Sequence, residues 1–308
     1  MYKTRSNQLL HQTAIINLVH LLFMKKVETH SVTILKKPVR LSDYALGIFQ
    51  TINSRAGIKK ALKRGLILVD GMKGISGQYI QGGETIDLLI EESKIKKLEL
   101  NLEVLFEDDY LAIINKPSGI IVSGNKHKTI EHALPNNLQK SPLADALVYP
   151  QAAHRLDFPT SGVLLIGKTK TAVTALNKMF EKKEIDKSYY AISIGVMKKE
   201  GLINSPIDGK VSASKYEVEQ SVISERFGFL NLVKLFPLTG RRHQLRIHLA
   251  ALGNPILGDK EYGIEGLILQ RKGLFLHAFS LQFTHPFTQE SIYIEQPLPR
   301  KFERIFSS

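Results

Sequence analysis

The sequence contains no cysteine. That excludes disulfides, thiolate-bound zinc, iron–sulfur clusters and a cysteine nucleophile, and nothing calls for an oxidising compartment. No apolar run reaches the roughly 18 residues of a spanning helix. The N-terminal candidate, residues 14–23 (AIINLVHLLF), is interrupted by Asn17 and His20. No small-residue cleavage site follows, so it does not read as a signal peptide. Met24 is the expected true start, with residues 1–23 an upstream extension. A chain beginning at Met24 is expected to keep full stability and activity. Internal repeats at solenoid periods and low-complexity tracts are also missing.

What is present fits two folded, soluble domains. The chain has 308 residues, of which 43% are hydrophobic and 23% charged, enough for two cores. Forty-two basic residues against 29 acidic ones give a formal charge of +13. An excess of that size points to a polyanionic partner, nucleic acid before membrane. The expectation is a cytoplasmic monomer that meets RNA and no membrane.

Four regions separate along the chain. Residues 1–38 carry no clear periodic signal and read as an extension. Residues 39–91 form a small α/β module, residues 92–100 a short basic linker, and residues 101–304 a larger domain. In the module, Leu41, Ala45, Ile48 and Phe49 have helical spacing, which predicts a helix over 41–51 capped by Ser42 or Asp43. A second helix is predicted over 55–64, opened by Asn53 or Ser54 and ended by Gly65. Arg55, Lys59 and Lys63 share one of its faces at i, i+4 and i+8, with Lys60 and Arg64 alongside and no acid among them. A strand at 66–69, a tight Asp70-Gly71 turn and a strand at 85–90 follow. A solvated surface would explain a few such cations. A face of five with no acid favours phosphate contacts. This order of elements resembles an S4-type RNA-binding domain over residues 39–91.

In the larger domain, strands outnumber helices and rarely alternate with them. The expected class is α+β, a mainly antiparallel mixed sheet with flanking helices. The apolar run Gly162–Gly167 predicts a buried strand, and residues 171–183 and 241–252 predict helices. The stretch 154–162 (HRLDFPTSG) packs an imidazole, a guanidinium and a carboxylate into four residues. Pro159 and Gly162 force irregular backbone just before the buried strand. In TGRRHQLRIH (239–248), Thr239 is placed to cap the helix. Arg246 lies between apolar positions and needs an acidic partner. On the strand around KSYYAISIG (187–195), one face carries Tyr189 beside Ala191, Ser193 and Gly195. That leaves room for a flat ligand against the ring.

Two competing motifs fail on context. Residues 162–169 fit the phosphate-loop pattern G-x-x-x-x-G-K-[ST], but four bulky apolar residues between the glycines make a strand, not a flexible loop. His243 and His248 are five apart, as are His127 and His132, unlike a helical zinc pair. Pro286 limits His285 to a turn or edge. No metal or cofactor is expected.

Together HRLDFPTSG, KSYYA and TGRRHQLRIHLAALGNPILGD, with INKPSG at 114–119 and LHAFSLQFTHP at 276–286, resemble the RluA-type pseudouridine synthases. The likeness spans residues 101–304 in the family's order, and the HRLDxxTSG match is complete. The resemblance implies a pseudouridine synthase fold and an isomerase acting on uridine in structured RNA. It implies Asp157 as nucleophile, attacking C6 of the base or C1′ of the ribose. Tyr189 stacks on the base and is a candidate for removing the C5 proton. Arg246 pairs with Asp157, and Arg155 helps to hold the flipped-out RNA. The position of Arg242 varies among members, and no function attaches to it. The expected RNA ligands of the small module are Arg55, Lys59, Lys60, Lys63 and Arg64. The expected substrate is large-subunit (23S-type) ribosomal RNA, with transfer RNA as the alternative. A non-catalytic S4-type RNA-binding protein is the competing class.

Overall fold

The computed structural model describes residues 24–49, 52, 54–91, 98–124, 128–269 and 271–306. The chain divides into two units, residues 1–96 and 97–308, each with its own core.

In the first unit the elements run β1 (Met24–Ser31), β2 (Val39–Arg40), α1 (Leu41–Tyr44), α2 (Arg55–Lys63), β3 (Ile67–Val69), β4 (Met72–Lys73), β5 (Tyr79–Ile80) and β6 (Thr85–Glu91). The sheet order is β1-β6-β3-β4, and β2 pairs with β5. Ser54 caps α2 by accepting from the Gly57 amide at 3.1 Å. Gly65, at φ +70°, ends it, with the Leu66 amide donating back to the Ala61 carbonyl. The β3–β4 hairpin turns on Asp70 (φ 50°) and Gly71 (φ 77°), the left-handed pair that a two-residue hairpin requires. Ile58, Ala61 and Leu62 bury one face of α2 against Leu41, Ile67, Ile86 and Leu88. Its basic face stays out.

Two expectations change here. Residues 24–31, taken from sequence as extension, form a strand paired with β6 along its length. A bulge between Lys26 and Glu28 breaks the register, which destroys the period-two signal. The expected helix over 41–51 covers only 41–44. Its N-cap, Arg40, makes no side-chain cap bond, and Gly47 at φ +99° follows. Residues 1–23, the part of the expected extension upstream of Met24, lie outside the described residues, as do residues 92–97 of the linker. Leu98 and Leu100 already pack on the second unit.

The second unit continues with β7 (Glu103–Glu107), β8 (Leu111–Lys116), α3 (Ile130–Asn137), β9 (Ala146–Ala152), β10 (Ser161–Thr169), α4 (Lys170–Lys182), β11 (Asp186–Ile194), β12 (Glu200–Ile203), β13 (Ser214–Ser224), β14 (Gly228–Pro237), α5 (Gln244–Ala251), β15 (Leu276–Thr284), β16 (Ser291–Glu295) and α6 (Arg300–Phe306). Ten strands form one sheet in the order β12-β13-β14-β11-β15-β10-β8-β7, with β16 on β15 and β9 on β10. Among the described strands the pairing is antiparallel except for β10 with β15. This is the α+β mixed sheet that the pattern predicts.

The centre of the sheet is buried on both faces. Leu164 and Ile166 of β10 pack with Ala112 and Ile114 under α3. Val163 and Leu165 pack with Leu111 and Ile113 against Leu176 and Met179 of α4. Two-sided burial explains the unbroken apolar run, since each such side chain contributes about 1.5–3 kcal/mol when buried. Residues 162–169 therefore lie inside a strand, and the phosphate-loop match is coincidental. Lys168 is buried, bonded to Glu107 at 2.6 Å.

Candidate active site

The loop 154–160 ends at the head of β10, and its shape is imposed from both sides. Gly162 sits at φ +114°, where a Cβ would collide with the Ala278 backbone. This close approach permits the parallel pairing of Ser161 with His277 and Gly162 with Ala278. The Thr160 amide donates to the Asp157 carbonyl at 3.1 Å and closes a turn. The segment 116–119 (KPSG) clamps the turn. Gly119 N–H donates to the Phe158 carbonyl at 2.8 Å, and Ser118 Oγ to the Pro159 carbonyl at 2.7 Å. Lys116 Nζ donates to the carbonyls of Thr160 at 2.7 Å and Pro117 at 3.0 Å, with Phe158 at 3.5 Å. Lys116 is fully buried. Burial lowers its pKa to about 8, against the attraction of Asp157.

Asp157 projects from this turn with 17% of its side chain exposed. Arg246 Nη1 lies 3.9 Å from Asp157 Oδ2, and His243 Nε2 lies 3.7 Å from Oδ1. Arg246 has closer partners. Its Nε and Nη2 each donate to Asp259 at 2.7 Å, and Nη2 also reaches Glu261 at 3.1 Å. Its guanidinium lies 4.8 Å from the Tyr262 ring centre. Burial opposes the cation, but the bonds and charges of Asp259, with Asp157 and Glu261, outweigh it and raise the Arg246 pKa. The expected Arg246–Asp157 neighbourhood is present, while the forked pair belongs to Asp259.

Arg246 is held by α5, whose start differs from expectation. The helix begins at Gln244, not Arg241, and the cap position is His243 in a left-handed conformation (φ 54°) without a side-chain cap bond. Thr239 does not cap it. Its Oγ1 accepts from the Ala213 amide and donates to Gln244 Oε1 at 2.6 Å. The Gln244 side chain also takes the Arg241 amide and donates to Ala213 and Ser214. The turn before the helix thus closes on a side-chain amide.

Tyr189 of β11 is in register with Ala278 of β15, itself in register with Gly162 of β10. The three form one row, an aromatic ring followed by two small residues. Burial raises the Tyr189 pKa above its ordinary value, and the Asp157 charge adds to it. The ring therefore carries a neutral hydroxyl. Arg155 is exposed at the loop. His154 accepts from the Leu165 amide at 3.1 Å and packs on Phe180. Burial lowers its pKa to about 3, so it is a structural imidazole.

Asp259, Glu261 and Tyr262 join the site without having been singled out from the sequence, and His243, weighed there only as a metal ligand, joins them beside Asp157. His243 and Asp259 fall in motifs quoted above, but their partners are spatial. His248 is buried among Ser205, Ser212 and Ser214. Among the described residues no group of three His, Asp or Glu could hold a metal. No helix among them is long and apolar enough to cross a membrane. In the first unit, Arg55, Lys59, Lys60, Lys63 and Arg64 are all exposed on or just after α2. Arg55 has an acid nearby after all, Asp43 at 3.7 Å.

The ten-stranded mixed sheet with its flanking helices has a solved counterpart. The human RNA Pseudouridylate Synthase Domain Containing 1 matches with TM-score 0.54 and 25% identity over 68% of this chain and 87% of that one. The second unit thus has the pseudouridine synthase fold. The family model described as RNA pseudouridylate synthase matches residues 110–251. Ribosomal large subunit pseudouridine synthase D of Xanthomonas campestris pv. campestris is 30% identical over 83% of this chain and 84% of its own length. Ribosomal large subunit pseudouridine synthase C of Yersinia pestis is 35% identical over 63% and 65%. The chain belongs to the RNA pseudouridine synthase family. It is an isomerase that converts uridine to pseudouridine in RNA, and the non-catalytic alternative is not favoured.

Proposed function

We propose that Asp157 is the nucleophile for uridines of large-subunit ribosomal RNA, with residues 24–91 acting as an S4-type RNA-binding domain. One observation carries the assignment of Asp157. Its carboxylate lies on a clamped turn, 3.9 Å from a guanidinium that other acids already hold in place. Electrostatic groups fixed before the reaction need not reorganise during it. The target base leaves the stack, at a cost of a few kcal/mol that contacts to the RNA offset. The Asp157 carboxylate adds to C6 of the base or C1′ of the ribose, the C1′–N1 bond breaks, the held uracil turns, C5 bonds to C1′, and the bond to Asp157 breaks to free the carboxylate. C5 then gives up a proton and N1 gains one. Tyr189 stacks on the base. Because burial and Asp157 keep its phenol protonated, it takes the C5 proton only by passing its own to the freed Asp157 carboxylate. Arg246 steadies the carboxylate, and Arg155, exposed on the same loop, reaches the displaced RNA backbone.

The choice of RNA is supported by the names of the relatives, ribosomal large subunit synthases C and D. The basic face of α2 supplies the phosphate contacts of the small domain. The enzyme works as a cytoplasmic monomer in this reading. Transcriptome-wide pseudouridine mapping with and without the gene tests it. Loss of one or a few pseudouridines from large-subunit ribosomal RNA is expected. Loss confined to transfer RNA would overturn the ribosomal assignment.

A further inference from the structure

Phe158 follows Asp157 and is 56% exposed. It belongs to none of the hydrophobic clusters. Scattered exposed apolar residues need no explanation, but this one has two unusual features. Its backbone is held by several hydrogen bonds. The Phe158 carbonyl accepts from Gly119 at 2.8 Å and faces Lys116 Nζ at 3.5 Å. The next carbonyl accepts from Ser118 Oγ, and the one after from Lys116. The ring is therefore presented from a rigid base while adding nothing to the core. It is also the immediate neighbour of the carboxylate that must touch the extruded uridine, with the exposed cation of Arg155 on the same turn.

We infer that Phe158 is a stacking platform for the base of a nucleotide adjoining the target uridine. The inference rests on the assignment of Asp157 as nucleophile. Extruding one base deprives both neighbours of a stacking partner, and the phosphodiester chain keeps those neighbours beside the site. An aromatic face can replace the lost partner for any base, because every base has a π-face. An aromatic ring with only two side-chain torsions loses little freedom in doing so. A lysine or leucine in this place would offer charge or apolar area but no plane. The platform recognises an RNA base rather than a protein surface, since it is exposed one residue from the carboxylate that the RNA must reach.

The test uses purified full-length enzyme and large-subunit ribosomal RNA from cells lacking the gene, with Asp157→Asn as the inactive reference. Phe158→Ala and Phe158→Leu are each expected to raise KM about tenfold, the order of one base–aromatic stack, while kcat changes far less. Phe158→Trp is expected to restore the wild-type KM. Thermal midpoints should change little, because the side chain is more than half exposed and belongs to none of the hydrophobic clusters. In a synthetic fragment around the mapped uridine, an abasic residue on one side should erase the difference between wild type and Phe158→Ala. A wild-type KM for Phe158→Ala or for Phe158→Leu would overturn the platform. So would a penalty that persists with an abasic residue on either side. If wild type modifies another RNA instead, the same comparison on that RNA decides the role of Phe158 separately from the ribosomal assignment.

Discussion

Asp259 takes two nitrogens of Arg246 at 2.7 Å each, which leaves Nη1 facing Asp157 at 3.9 Å. A guanidinium is planar, so fixing Nε and Nη2 also fixes the direction of Nη1. Asp259 therefore positions the guanidinium that faces the Asp157 carboxylate, the group proposed as the nucleophile.

Replacing Asp259 by Asn removes the nearest and most buried counter-charge of the Arg246 guanidinium, leaving only Glu261 and Asp157. Breaking a buried pair from one side costs about 3–5 kcal/mol, and both partners here are almost wholly buried. Asp259→Asn should lower stability in denaturant titration by that order and reduce single-turnover pseudouridine formation in the folded fraction. The pair also has an acid limb. Burial opposes the Asp259 anion, but Arg246 and two amides outweigh it and hold its pKa below the ordinary 3.8. Its contribution is thus present above the unfolded value and disappears as pH falls through the lower folded one. Wild-type stability in the variant would contradict this account.

Lys116 supplies an alkaline limb. Burial lowers its pKa from 10.5 to about 8 in the folded protein. As pH rises through about 8, the folded protein loses this charge beside Asp157 and one of the N–H donors that clamp the loop. Single-turnover rates should decline over that range. Lys116→Arg, which keeps its charge, should shift the decline upward. Global stability should move the other way. Between about 8 and 10.5 the unfolded chain binds the extra proton, so unfolding becomes harder as pH rises. A rate that stays flat to pH 10 would remove Lys116 from the electrostatics of the site.

The sequence made β10, the two-sided core and the HRLD turn legible, because Leu164 and Val163 each had to find a hydrophobic face and Pro159 and Gly162 had to break the pattern. The row from Tyr189 to Gly162 was half legible. Small residues beside Tyr189 hinted at space, but only the register with Ala278 showed whose space it was. Asp259 was not legible as the partner of Arg246. A buried arginine demands an acid without saying which, and the two are joined by the turn after α5. β1 was missed because its bulge at Lys26–Glu28 hides the alternation. The start of α5 was missed because a side-chain amide, Gln244, does the work expected of Thr239.

The basic face of α2 should act through salt-dependent binding. Lys59, Lys60 and Lys63 are exposed, and each phosphate contact contributes a slope of about −0.9 on duplex or about −0.7 on single strands to log K against log salt. Reversing the three to Glu should weaken RNA binding and flatten that slope, measured by filter binding across a salt series. Because Ile58, Ala61 and Leu62 hold the opposite face in the core, the fold should survive. Unchanged binding would take the small domain out of the RNA path.

Pseudouridine sequencing of RNA from a deletion strain complemented with wild-type or Asp157→Asn protein tests the central claim most directly. The wild-type gene should restore the missing pseudouridines. The Asn variant, which keeps the shape of the turn and removes the negative charge, should restore none. Equal restoration by both would show that the carboxylate at position 157 is not the nucleophile.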